Sequence, residues 1–209
     1  AWGVNVRRDN SSMKAKSPPR MQVVKRDEKE ATLTAFINTH IGTLVRGQDI
    51  STDNEILVVA LSADSPVVRA LRRSASEHQL SNVHVRLILA NISSADLIED
   101  LKSLPAYTVN WARNARLLDA HEQLVINPSA SWTGDCMRRE PTKRDAYECF
   151  ADDCAETATW ARTSFERLWS ASVPLVSADA SVESDERAIL PTGVAPKQND
   201  GETIVGTRH

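Results

Sequence analysis

The run Glu55-Ile56-Leu57-Val58-Val59-Ala60-Leu61 constrains this chain more than any other stretch. It is apolar without interruption, rich in β-branched residues and too short for a buried helix. Continuous apolar character means both faces are buried, which suits a parallel strand sandwiched between helices. Turn residues precede it at Ser51 to Asn54. Ser62-Ala63-Asp64-Ser65-Pro66 follows, where Asp64 or Ser65 can cap a helix and Pro66 suits its first turn.

The neighbours of this strand extend the pattern. Leu33, Phe36, Ile37, Ile41 and Leu44 recur at helical spacing over residues 27–46, with Thr34 and Asn38 on the other face and Gly47 as a stop. Asp27, Glu28 and Glu30 sit where the helix dipole favours acids. His40 falls on the apolar side and reads as a packed, hydrogen-bonded histidine. After Pro66 a helix runs to about Glu77, with Val67, Val68 and Leu71 inward and Arg69, Arg72 and Arg73 on a solvated face. Val83, Val85, Leu87 and Leu89 alternate with His84, Arg86 and Ile88 as a second strand. Ser93 or Ser94 then starts a short helix bearing Leu97, Ile98 and Leu101, ended by Pro105. Helix, strand, helix, strand, helix predicts an α/β fold whose mixed, largely parallel sheet is flanked by helices on both faces.

The second half reads differently. Tyr107 to Leu118, His121 to Ile126 and Ser131 to Thr133 read as strands with short links, and Asn127-Pro128-Ser129 as a turn, so antiparallel pairs are expected here. Residues 145–170 allow either one long helix from Arg144 to Trp169, or a strand from Ala146 to Ala151 followed by a helix carrying Ala158, Ala161, Phe165 and Leu168. Asp152-Asp153 favours the second, because aspartate fits a cap better than a helix interior.

The flanks are polar. Residues 1–26 hold seven Lys/Arg against one acid, and residues 178–209 six acids against three bases. The first is expected to be a mobile basic arm, the last a disordered acidic tail, and 27–177 the α/β domain. The arm is a weak candidate for contact with nucleic acid or an anionic membrane. Trp2 is its one aromatic residue, so it lacks the stacking platform that single-stranded nucleic acid favours. No apolar run reaches the ~18 residues of a membrane-spanning helix. The chain begins at Ala1, so an upstream signal, anchor or further domain is left open, and localisation with it: cytoplasmic, or exported or anchored. Cys136, Cys149 and Cys154 show no CxxC spacing and read as free thiols, with one disulfide as the alternative. Neither a G-x-S-x-G elbow nor a glycine-rich phosphate loop is present.

The order of elements resembles one half of the phospholipase D-like fold. Three blocks carry the resemblance: Asn54 to Ala90, Leu117 to Asp135 (LLDAHEQLVINPSASWTGD), and Asp145 to Trp169 with its Phe165-x-x-x-Trp169 ending. Together they span about residues 28–172. The middle block resembles the family's HxK-x4-D strand and following glycine-serine turn. The resemblance implies a nucleophilic histidine that attacks phosphorus, a lysine and an asparagine that hold phosphate oxygens, and an organising aspartate. His121 stands at the histidine position and Gly134 at the glycine. The lysine position is Gln123, the aspartate position Pro128 beside Asn127, the serine position Asp135, and the asparagine position Met137.

The candidate site is therefore His121, as the remnant nucleophile, with Gln123, Asp135 and Glu148. Phosphoryl transfer depends on charge and donors aimed at the equatorial oxygens. Gln123 carries no charge, Met137 donates nothing, and Asp135 would repel a phosphodiester. The favoured expectation is a domain without phosphodiesterase activity that serves a binding or structural role toward a phosphate-containing ligand or a protein partner. The alternative is a weak or altered phosphodiesterase or nuclease. It would act as a homodimer through two His121 side chains, with Arg138, Arg139 or Lys143 replacing the lysine. A divalent-metal site from Asp119, His121, Glu122 and Asp135 is a third reading. No cofactor or metal is expected.

Overall fold

The structure, a computed structural model, describes residues 17–46, 54–78, 80, 82–92, 99, 101–137 and 145–178. One sheet of eight strands organises them. The strands are β1 (Arg20–Lys25), β2 (Glu55–Ala60), β3 (His84–Leu89), β4 (Ala106–Trp111), β5 (His121–Val125), β6 (Ser131–Cys136), β7 (Asp145–Ala151) and β8 (Val173–Ala178), in the spatial order β1-β7-β6-β5-β2-β3-β4-β8. β2, β3 and β4 run parallel. Every other neighbouring pair is antiparallel. The layered α/β architecture and mixed sheet expected from the sequence are present, but the sheet is largely antiparallel rather than largely parallel, because parallel pairing is confined to these three strands.

Helices α1 (Lys29–Arg46) and α2 (Pro66–Glu77) cover one face, and α3 (Ala155–Ala171) covers the other. The sheet therefore buries two cores. Leu33, Phe36, Ile37 and Ile41 of α1 join Val67, Val68 and Leu71 of α2 over Ile56, Val58, Leu124, Trp132 and Phe150. Ala161 and Phe165 of α3 pack on Leu57, Val59, Ile88, Val125 and Met137. The five apolar residues of β2 are shared between the two cores, which is why its sequence shows no alternation.

Three expectations about individual elements need correction. The basic arm was expected to run to Arg26, yet Arg20–Lys25 forms β1 against β7. Only Val24 of this strand enters the core, while Met21 and Val23 stay exposed. The pairing therefore rests mainly on backbone hydrogen bonds, which leave no hydrophobic period. Val173–Ala178 likewise forms the edge strand β8 on β4, with Pro174 at a register shift, where an edge tolerates a missing donor. The strand expected over Tyr107 to Leu118 stops at Trp111. Asn114 then caps a 3-10 turn, Ala115–Asp119, its side chain accepting from the Arg116 amide at 3.0 Å. The 145–170 segment is strand then helix, as favoured, but Cys154 occupies the N-cap rather than an aspartate. Asp152 instead accepts from Arg20 Nε at 2.9 Å and meets His40 Nε2 at 3.1 Å. Burial pushes its carboxyl up, but the hydrogen bonds and charges of Arg20 and His40 outweigh that and hold it below the usual range.

His40 is thus packed and hydrogen-bonded, its ring 4.7 Å from Phe36. Arg69 and Arg73 tie α2 to Glu30 of α1, at 2.7 and 3.9 Å. The short helix expected after Ser93, residues 1–16, the tail from 179 on and the loop holding Arg138, Arg139 and Lys143 fall wholly or mainly outside the described residues.

Candidate functional site

β5 runs antiparallel to β2, so its first residue lies at the end of the sheet where the parallel strands finish. Loops gather at this end, where ligands of open α/β sheets generally bind. His121 opens β5 and is exposed. Its register partner is Cys136 of β6, whereas Gln123 pairs with Thr133. One residue of β5, Glu122, therefore faces two of β6, Gly134 and Asp135, which is a β-bulge. The bulge brings the Gly134 carbonyl to 2.8 Å from His121 Nδ1. A carbonyl only accepts, so this bond places the proton on Nδ1 and leaves the Nε2 lone pair open in the neutral ring.

Side chains alternate along β5, and this separates the candidate residues. Gln123 faces α3 and is only 3 % exposed. Its Nε2 lies 3.5 Å from Ser164 Oγ, the long limit of a hydrogen bond, and its Oε1 is buried without a partner. Met137 is buried in the α3-side core. Asp135 bonds the amide of Cys136 at 2.9 Å through Oδ1. Cys136 lies within 3.4 Å of the Leu118 and Asp119 carbonyls, which ties the loop before β5 to β6. Asn127 accepts from the Ser129 and Ala130 amides at 2.9 and 2.7 Å, so it shapes the β5–β6 turn around Pro128.

Glu122 points the other way, under α1, and so does Glu148, which is fully buried. Lys29, in the first turn of α1, sits between them, 3.2 Å from Glu122 Oε2 and 3.0 Å from Glu148 Oε1. Glu122 Oε1 also takes the Leu61 amide at 3.3 Å. Glu148 Oε2 accepts from Trp132 Nε1 at 2.9 Å, and the Lys29 ammonium is 5.1 Å from the Trp132 ring centre. Burial pushes the Glu148 carboxyl above its usual range, against the pull of Lys29 and Trp132. Burial works against the charged form of Lys29, but Glu122 and Glu148 together outweigh it and hold the ammonium above its usual range.

The structure thus brings Gln123 and Asp135 to the strands that present His121 and separates Glu148 from them, because Glu148 faces the opposite core. Glu122 faces away from His121 for the same reason, so the four-residue metal set does not assemble. Among the described residues no group of three or more His, Cys, Asp or Glu is placed to hold a metal ion. The sequence reading missed Lys29, whose apolar neighbours at helical spacing drew attention away from it. It also missed the role of Trp132.

Phe165 and Trp169 stack at 5.5 Å, and Arg86 lies over both rings while bonding Glu166 through two nitrogens at 2.7 and 3.0 Å. The paired aromatics of α3 are therefore a structural clasp on β3. NucT from Helicobacter pylori has a similar structure, with a TM-score of 0.50 at 13 % identity, covering 76 % of this chain and 100 % of NucT. The chain has the phospholipase D-like fold. Two further structures are similar to this phospholipase D-like domain at lower scores. Nuc from Salmonella typhimurium, a phospholipase D family member, has a TM-score of 0.48 at 11 % identity, covering 76 % of this chain and 99 % of Nuc. TrmBL2, an archaeal chromatin protein, has a TM-score of 0.47 at 10 % identity, covering 75 % of this chain and 55 % of TrmBL2. No family model matches the sequence, and no curated protein matches it either.

Proposed function

We propose that this phospholipase D-like domain lacks phosphodiesterase activity and serves a binding or structural role. One observation carries the reading. The side chain two residues after His121, at the lysine position of the motif, is an uncharged Gln123 buried against Ser164. Beside it Met137 fills apolar core instead of presenting a donor. Lys29 lies under α1 and is already engaged by two glutamates. At these two motif positions a phosphodiester at His121 would meet none of the positive charge that stabilises a transferring phosphoryl group.

The test is hydrolysis of bis(p-nitrophenyl) phosphate and of single- and double-stranded DNA by the wild-type chain and by His121→Ala. The expected result is no hydrolysis above buffer from either. Hydrolysis by the wild type that His121→Ala abolishes would overturn the proposal.

A second reading has its own support. The Nδ1 bond to Gly134 leaves Nε2 exposed with its lone pair free, the state in which imidazole acts as a nucleophile. Under this reading a homodimer would pair two His121 rings, with Arg138, Arg139 or Lys143 replacing the lysine. Size measurement in solution, with cross-linking at an introduced cysteine beside His121, distinguishes the two.

A further inference from the structure

Trp132 is fully buried on β6 and is held at its edge and at its face. Its Nε1 donates to Glu148, and Lys29, which pairs with the other oxygen of Glu148, lies over its ring. So clamped, the indole occupies the space where a side chain at position 134 would begin. A Cβ added to Gly134 would lie 2.4 Å from Trp132 Cζ2 and 2.6 Å from Cη2. Gly134 is thus the floor on which the indole rests, and the carbonyl of that same residue accepts the His121 Nδ1 hydrogen bond at 2.8 Å.

We infer that Trp132, held by Glu148 and Lys29, is a positioning residue for His121: it fixes the Gly134 carbonyl in the bulge and so keeps the imidazole in its Nδ1–H tautomer with Nε2 open. Free histidine in water favours the Nε2–H form, so the reverse state must be imposed by a fixed acceptor. A bulge is a place where the backbone can re-aim a carbonyl, and it needs a reason to hold one setting. The flat contact between indole and glycine supplies that reason from the far side of the sheet. The network therefore crosses the sheet through one residue, from a buried ion cluster under α1 to an exposed ring at its end. This goes beyond the loss of hydrolysis proposed above, because the tautomer is held whether or not a phosphodiester is cleaved. It implies that the ring presents an acceptor, suited to a ligand group that donates a hydrogen bond.

Long-range proton–nitrogen correlation spectra of the nitrogen-15-labelled full chain, at a pH above the ring's titration, test this. In the wild type, His121 is expected to show a protonated Nδ1 and an unprotonated Nε2. Trp132→Phe removes the outer indole atoms and the donor to Glu148. Glu148→Gln keeps the size and removes the charge. Each is expected to lose the Nδ1–H signature and to show exchange-averaged nitrogens. Val68→Ala thins the same core without touching the network, and is expected to retain the signature. An Nε2–H ring in the wild type would overturn the inference, and so would an unchanged Nδ1–H ring in either folded variant. Should Trp132→Phe fail to fold, Glu148→Gln decides. The readout is a ring nitrogen and not a rate, so its failure leaves the hydrolysis result standing by itself.

Discussion

His121 and Glu122 are neighbours in sequence and opposites in circumstance. The imidazole is exposed at the sheet's end with one hydrogen bond to a backbone carbonyl. The carboxylate beside it is buried under α1, paired with Lys29 and bonded to the Leu61 amide. The pleat of one strand separates them. On the α1 face charge is concentrated, compensated and structural. On the α3 face the positions next to the histidine are neutral, and one of them, Gln123, is imperfectly bonded. Phosphoryl transfer draws on positive charge beside the nucleophile, and Lys29 lies on the opposite face.

Lys29→Met is the strongest way to break this contrast. It leaves Glu122 and Glu148 buried without their cation, and removing one partner of a buried ion pair typically costs about 3–5 kcal/mol. Urea unfolding at pH 7 should show a loss of that order. A loss below about 1 kcal/mol would mean that the cluster is not the ionic network described. The same variant carries a pH signature. Because Lys29 is held above the usual lysine value of 10.5, its contribution is fully present below that pH and is lost as pH climbs through the raised value. The stability gap between wild type and Lys29→Met should therefore narrow above pH 10.5.

Gly134→Ala comes next. Its methyl group would meet the Trp132 ring, and overpacking of this kind costs roughly 1–3 kcal/mol. Combined with Trp132→Phe, which withdraws the offending atoms, the two losses should sum to less than their separate values in a double-mutant cycle. Full additivity would deny the contact. The smallest effect belongs to His121→Ala. An exposed side chain away from such features changes stability by about 0.5 kcal/mol or less. A thermal unfolding shift much larger than that would place the imidazole among the structural residues and erase the contrast.

Legibility in the sequence followed the number of side chains each element buries. β2 was readable because every residue from Ile56 to Ala60 is buried, and α1 and α2 because each presents a continuous apolar stripe. The strand-then-helix at 145–171 was readable from its paired aspartates, even though Asp152 forms an ion pair with Arg20 and the N-cap is Cys154. β1 and β8 were not readable. Each is an edge strand that buries little, and backbone hydrogen bonding has no side-chain code. Gly134 illustrates a different limit. It reads as a turn glycine, yet it lies within β6, and what requires it is an indole two residues earlier.

The chain's own pattern determined the α/β layering, the position of His121 at a strand start, and the chemical poverty of the positions around it, since Gln123 and Met137 carry no charge wherever they point. Tertiary structure alone decided which faces those residues occupy. It set Glu148 and Glu122 against a lysine 93 positions from Glu122, on the far side of the sheet from His121. It also inserted the bulge that turns a carbonyl toward the ring. The physical reason is that hydrophobic period is a local property of the chain. Strand pairing, register and the meeting of distant charges depend on which segments close against one another, and no window of sequence contains both partners.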